Sequence, residues 1–128
     1  ICGAILAVMV VVIMLFVPSR FEKVKNEAVH IAGQISSRGN DNFTIDTYPY
    51  EDTKMSSTAI ALLAPETQKN ALAAIKYVNE ELGFNGSLYD KMLETNALMG
   101  RQSEENNKYK VTWTFHPDEG LEVTYEKK

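Results

Sequence analysis

Histidine sets the ceiling on proton-transfer chemistry here, because imidazole is the side chain that titrates near neutral pH and the chain has only His30 and His116. Glu27 precedes His30 by one helical turn, which makes a two-ligand metal edge geometrically possible. Structural zinc wants four ligands, however, so a histidine on a helix surface is the expectation. His116 is followed by Pro117 and Asp118, in a turn where an imidazole commonly bonds local backbone. The acidic pairs Glu80-Glu81, Glu104-Glu105 and Asp118-Glu119 are adjacent in sequence. Neighbouring side chains diverge on a helix or a strand, so none forms a two-carboxylate site by itself. Asn40-Asp41-Asn42 is too compact for the alternating oxygen ligands of a calcium loop. No phosphate-binding loop, dinucleotide fingerprint or nucleophile elbow occurs. The expectation is therefore no catalytic, cofactor-binding or metal-ligating residue, no cofactor, and a protein that is not an enzyme. Asn42-Phe43-Thr44 and Asn85-Gly86-Ser87 match the N-glycosylation pattern.

The elements that position these residues begin with a sharp break in polarity. Ile1 to Val17 carries no charged or hydrogen-bonding polar side chain, and everything after Pro18 is mixed and mostly polar. As a helix this run rises about 25 Å, against a hydrocarbon core of about 30 Å. It reads as a transmembrane helix over 1–18 whose first turns are missing, in contact with the lipid bilayer through residues 1–17. A cleavable signal peptide fits less well, because the run exceeds a normal apolar region and no small-x-small site precedes Pro18. A helix that is apolar all round needs more covering surface than the remaining residues offer as a soluble core.

All 13 Lys and Arg and all 17 Asp and Glu fall after that run, giving a net charge of −4. About 110 residues suit one small domain. No basic face with interleaved aromatics appears, which argues against nucleic acid as a partner. The only cysteine is Cys2, so the polar part has no disulfide, thiol nucleophile or cysteine metal ligand. Arg20, Lys23 and Lys25 follow the anchor among Glu22 and Glu27; the positive-inside rule compares both flanks, and one flank is absent.

Residues 19–38 read as a juxtamembrane amphipathic helix, with Phe21, Val24, Ala28, Ile31 and Ile35 at three- and four-residue steps and a stop at Gly39. A small α+β domain over 40–128 follows. Residues 42–48 alternate as a strand, ended by Pro49. Thr58 to Ala64 is short and apolar, ambiguous in type, and leans to strand. Pro65 and Glu66 suit the first turn of the next helix, whose face is Leu72, Ile75, Val78 and Leu82 and whose stop is Gly83, with Phe84 folding back onto Val78. Ser87 starts a shorter helix as a cap for the amide of Asp90, burying Leu88, Met92 and Leu93. Residues 95–100 form a turn region, and 101–107 an edge strand or loop.

The strongest strand signal is the hairpin over 109–126. Setting Phe115 opposite Leu121 also sets Trp113 against Val123 and Val111 against Tyr125. The other face then pairs Lys110 with Glu126 and Thr112 with Thr124, and a one-residue slip would ruin both faces. Pro117 and Gly120 suit the connection. Tyr109, Trp113, Phe115 and Tyr125 share one face, either as core under the Leu72/Ile75/Val78 helix or as an aromatic groove for peptide or glycan. Tyr48, Tyr50 and Tyr89 are the candidates for exposed aromatics.

The stretch YVNEELGF…SLYDKMLETNAL.GRQ.EE…KYKVTWTFHPDEGLEVTYEKK, Tyr77 to Lys128, resembles a recurring ending in uncharacterised single-span membrane proteins of Gram-positive bacteria, some with a zinc ribbon before the span. That resemblance implies a small extracytoplasmic domain at the cell membrane and nothing catalytic. The order of apolar helix, proline, amphipathic continuation and antiparallel sheet also resembles type IV pilins and pseudopilins, although no glutamate precedes Glu22. The expected architecture is thus α+β: an N-terminal transmembrane helix, then a small antiparallel sheet packed with two or three helices. The expected function is binding or interaction with a protein or peptide partner, with a filament subunit as the alternative. Oligomeric state is not legible.

Overall fold

A computed structural model describes residues 19–33, 35, 41–50, 54–118 and 120–128. The expected membrane span over 1–18 lies outside the described residues. No helix among them is long and apolar enough to cross a bilayer.

The fold is α+β, with helices on one face of a four-stranded antiparallel sheet. Helix α1 (Arg20–Ala32) opens on Ser19, whose hydroxyl accepts from the Glu22 amide, and closes on Gly33 in the left-handed region. Its buried stripe is Phe21, Val24, Ala28 and Ala32. The helix thus stops well before Gly39, and Ala32, at i+4 from Ala28, continues the stripe; Ile31 and Ile35 pack against the core only in part. Strand β1 (Asn42–Asp46) follows, then helix α2 (Ser57–Glu81) and helix α3 (Ser87–Glu94). Strands β2 (Gln102–Glu105), β3 (Tyr109–His116) and β4 (Gly120–Lys127) complete the sheet, in the order β1-β4-β3-β2.

The leaning of Thr58–Ala64 toward strand is corrected: these residues are the first turns of α2, and Pro65 stands inside the helix rather than in its first turn. The local chemistry explains it. Ser56 accepts from the Ala59 amide as an N-cap, and Ala59, Ala61, Leu62, Leu63 and Ala64 are the residue types that lose least on entering a helix. Pro65 leaves the Ala61 carbonyl without its amide partner. Both residues are exposed, so water can solvate that carbonyl. The other end of α2 fits the expected stop. Gly83 has φ +82, Phe84 donates its amide to the Asn79 carbonyl at 3.0 Å, and the Phe84 side chain is buried.

Two smaller expectations change. Ser87 is the first residue of α3 rather than its cap, and the residue before it, Gly86, caps without a side-chain bond. Asn85 Oδ1 accepts the Ser87 amide at 3.0 Å instead. Leu93 is 52% exposed, so only Leu88 and Met92 bury the inner side of α3. The polar 101–107 segment contains strand β2, and Ala97–Met99 forms a single 3-10 turn.

The hairpin register is as expected at every pair, from Lys110 with Glu126 to Phe115 with Leu121. It places Val111, Trp113, Leu121, Val123 and Tyr125 on the covered face, joined by Phe43 and Ile45 from β1. The uncovered face carries a row of hydroxyls, Thr44, Thr124, Thr112 and Ser103, one from each strand. Thr44 and Thr124 share a hydrogen bond of 2.8 Å.

Over the covered face, α2 lays Ala71, Ala74, Ile75 and Val78. Alanine at two of these positions lets the helix sit close. Phe21 of α1 fills the adjoining space against Phe43 and Tyr109, at ring separations of 5.1 and 5.8 Å. Tyr125 is the polar pin of this layer. Its hydroxyl donates to Asn79 Oδ1 at 2.6 Å and lies 3.2 Å from the Ile75 carbonyl. Asn79 in turn directs its amide at Met92 Sδ, 3.5 Å away, which ties α3 to the same point. Among the described residues no buried side-chain polar atom lacks a partner.

Burial pushes the Tyr125 phenol well above its ordinary pKa. A raised folded-state value means that its contribution to stability is intact below the unfolded value of about 10 and is lost as pH rises above it. Replacing Tyr125 by Phe should cost about 1–3 kcal/mol, because Asn79 Oδ1 loses its donor in a dry site. The same variant should flatten the decline in stability above about pH 10. Denaturation followed by fluorescence of Trp113, the only tryptophan, measures both.

Candidate functional site

Helix lengths generate the principal surface feature. The Arg20 guanidinium donates to the Glu81 carbonyl at 3.0 and 2.8 Å, so the start of α1 meets the end of α2 and the two run antiparallel. From that shared end α1 reaches back only about 20 Å, whereas α2 extends about 37 Å. The first turns of α2 therefore project beyond α1 as an arm.

The inward stripe of α2 does not stop where its cover ends. Continuing Val78, Ile75 and Ala71 by three- and four-residue steps leads to Gln68, Ala64 and Ala61. These residues, with Pro65, form one wall of a cleft of about 390 Å³. Its other wall is the end of the sheet: Thr47 and Tyr48 beyond β1, Phe115 near the end of β3, Pro117 and Asp118 in the hairpin turn, and Gly120 at the start of β4. The volume lies in the range of small-molecule and side-chain pockets. The lining offers two aromatic rings, two prolines, an amide and one carboxylate.

Two local devices hold this end. Thr47 is almost fully buried and acts as an extra rung of the ladder: its hydroxyl donates to the Leu121 carbonyl and accepts from the Leu121 amide, both at 2.9 Å. That hydroxyl lies where a side chain on Gly120 would go, at 2.6 Å from an ideal Cβ, and Gly120 has φ +76. Beyond the strand, Asp46 Oδ1 accepts the Tyr48 amide at 2.8 Å. Tyr48 and Tyr50 then meet edge to face at 5.2 Å. Tyr50 shares a 2.6 Å hydrogen bond with Thr67 Oγ1, tying the 48–50 turn to the arm.

The residues singled out by their chemistry are scattered. His30 is exposed on α1, and His116 is exposed at the end of β3, opposite Gly120. Glu81 faces Arg20 at 3.5 Å, Glu104 pairs with Lys91 at 3.0 Å and Glu105 with Lys128 at 3.6 Å. Asn40 and Glu119 lie outside the described residues. Among the described residues no three His, Cys, Asp or Glu are grouped to hold a metal. Asn85 is exposed in the turn before α3, and Asn42 is half-buried at the start of β1.

The hairpin aromatics divide. Tyr109, Trp113 and Tyr125 belong to the core, where Trp113 donates to Thr95 Oγ1 at 2.8 Å. Phe115 is half-buried and lines the cleft with Tyr48. Tyr89 is half-buried beside α2, its ring 6.0 Å from Lys76 Nζ. The sequence signal for the cleft was weak, because its walls come from three separated segments. Phe115 at the outer end of an aromatic row and Pro117 two residues on were its only traces. Comparison with known protein families, curated proteins and solved structures finds no match to this chain.

Replacing Gly120 by Ala should destabilise the fold by about 1–3 kcal/mol, through the positive φ and the approach to Thr47. Adding Thr47→Ala relieves the contact but removes both hydrogen bonds to Leu121 and leaves the backbone strain, so equilibrium denaturation should show no net recovery.

Proposed function

We propose that the chain is a membrane-tethered binding domain without catalytic activity, extracytoplasmic in placement, that uses the cleft between the α2 arm and the hairpin turn to hold an extended peptide. The observation that carries this reading is the chemistry of the cleft. Tyr48, Phe115, Pro65 and Pro117 supply apolar walls for one or two side chains, and Asp118 at the rim supplies a carboxylate for a cationic neighbour. The tether rests on the apolar run 1–17 and its near-span length. Its orientation rests on the resemblance of the C-terminal stretch to extracytoplasmic endings. Because α1 begins directly after that run and shares its starting end with the end of α2, a tethered domain carries its cleft on the side away from the bilayer.

A filament-subunit reading draws support from one feature. The helix that follows the apolar run in sequence, opening on its own Ser19 cap, packs on an antiparallel sheet through Phe21, as the pilin likeness implies. A short basic leader and a glutamate-bearing apolar start, were the protein to carry them ahead of Ile1, would favour the filament.

The binding reading is tested with the full chain in nanodiscs against a random peptide library. Recovered peptides should pair apolar or proline residues with a Lys or Arg. Phe115→Ala and, independently, Asp118→Lys should weaken them about tenfold or more, whereas Glu122→Gln on the opposite sheet face should not. Recovery of no peptide, or binding indifferent to both cleft variants, would overturn the assignment.

A further inference from the structure

The outward side of the α2 arm poses a separate question. Between Lys54 and Glu66 the chain contains no charged residue. Leu62 is 77% exposed, Leu63 49% and Met55 38%. A helix that is apolar on every side is normally covered, and contiguous exposed apolar residues on a helix mark an interaction surface. The cleft does not account for them. At 100° per residue, Leu62, Glu66, Lys69 and Ala73 lie along one stripe with Ala59 beside it, and this stripe is turned well away from the one formed by Ala61, Ala64 and Gln68.

Position argues against lipid as the cover. In a tethered domain Arg20, three residues past the apolar run, is hydrogen-bonded to Glu81, and Leu62 lies about 28 Å from Glu81 along the same helix. Charge placement argues for a second copy of this chain. The neutral stretch is bracketed by a cation at Lys54 and a carboxylate at Glu66, both exposed. Among the described residues neither forms an ion pair. When two such arms lie antiparallel about a twofold axis between Ala59 and Leu62, each Leu62 packs on the partner's Ala59. Each Glu66 then comes level with the partner's Met55, one residue from Lys54 in the segment that leads into the Ser56 cap, at both ends of the contact. Isologous pairing needs this kind of self-complementary patch, and alanine at the crossing permits a close interaxial distance.

We infer that the outward face of the α2 arm, Leu62 with Ala59 between Lys54 and Glu66, is a homodimer contact in which two arms pair antiparallel. It is independent of the peptide reading, since it uses a different side of the arm. Two chains held in one bilayer would form it more readily than free ones, because tethering raises their effective concentration.

The test uses the full chain in phosphatidylcholine vesicles at low protein density, with Cys2→Ser as background and Ala59→Cys added. A bis-maleimide with a spacer of about 8–10 Å, matched to packed helices, should give covalent dimer. Leu98→Cys, at a position 97% exposed elsewhere on the surface, should give none. Adding Leu62→Glu or Glu66→Lys should lower the dimer yield about tenfold, and combining Lys54→Glu with Glu66→Lys should restore it. Far-ultraviolet circular dichroism should stay unchanged throughout, since Lys54, Leu62, Glu66 and Leu98 are exposed and Ala59 is only half-buried. Equal yields at positions 59 and 98, or a yield indifferent to Leu62→Glu, would overturn the inference.

Discussion

An antiparallel sheet with one apolar face has to be covered on that face, and here two helices of unequal length cover it. The inner face of the sheet is set by the alternation of β1, β3 and β4. The Ala71/Ala74/Ile75/Val78 stripe of α2 meets it, and Phe21 of α1 closes the side. Every other feature follows from how far this cover extends. Where α1 and α2 overlap, the core is dry and Tyr125, Asn79 and Met92 are satisfied by one another. Where α1 ends and α2 continues, the same stripe opens into a cleft.

The two ends of the domain consequently do different work. At one end the chain is drawn tight. Arg20 caps the last carbonyl of α2, and Asn106 donates to the Leu82 carbonyl while accepting two amides of the β2–β3 turn. At the other end Thr47 substitutes its hydroxyl for a further strand residue, and Tyr50 reaches across to Thr67. A small domain seldom leaves apolar helix surface uncovered without a use for it. The arm is where this one does so.

The legible parts of the fold were those with a repeating signal. The β3–β4 register could be read residue by residue because both strands alternate and because any slip would bury charge. The C-terminal half of α2 was legible from its 3.6-residue stripe and from Gly83. The arm was not, because Thr58–Ala64 is uniformly apolar and so has no period. Its helical state is decided by the Ser56 cap and by alanine-rich composition, which a search for alternation overlooks. The cap of α3 lies one residue before the position that the Ser87–Asp90 spacing implies, because Asn85 Oδ1 takes the Ser87 amide that a capping box would give to Asp90. Of the cleft only Phe115 and Pro117 left a trace in the sequence, since Tyr48, Ala64 and Phe115 meet only through tertiary packing.

Helix α2 has two energetically distinct halves, one clamped on the sheet and one projecting. Residue-resolved amide hydrogen exchange measures this directly. Amides of residues 74–81 should open only with global unfolding, while those of residues 61–64 and 66 should exchange by local opening at a small fraction of that free energy. Uniform protection along the whole of α2, in a dilute monomeric sample without peptide, would contradict it.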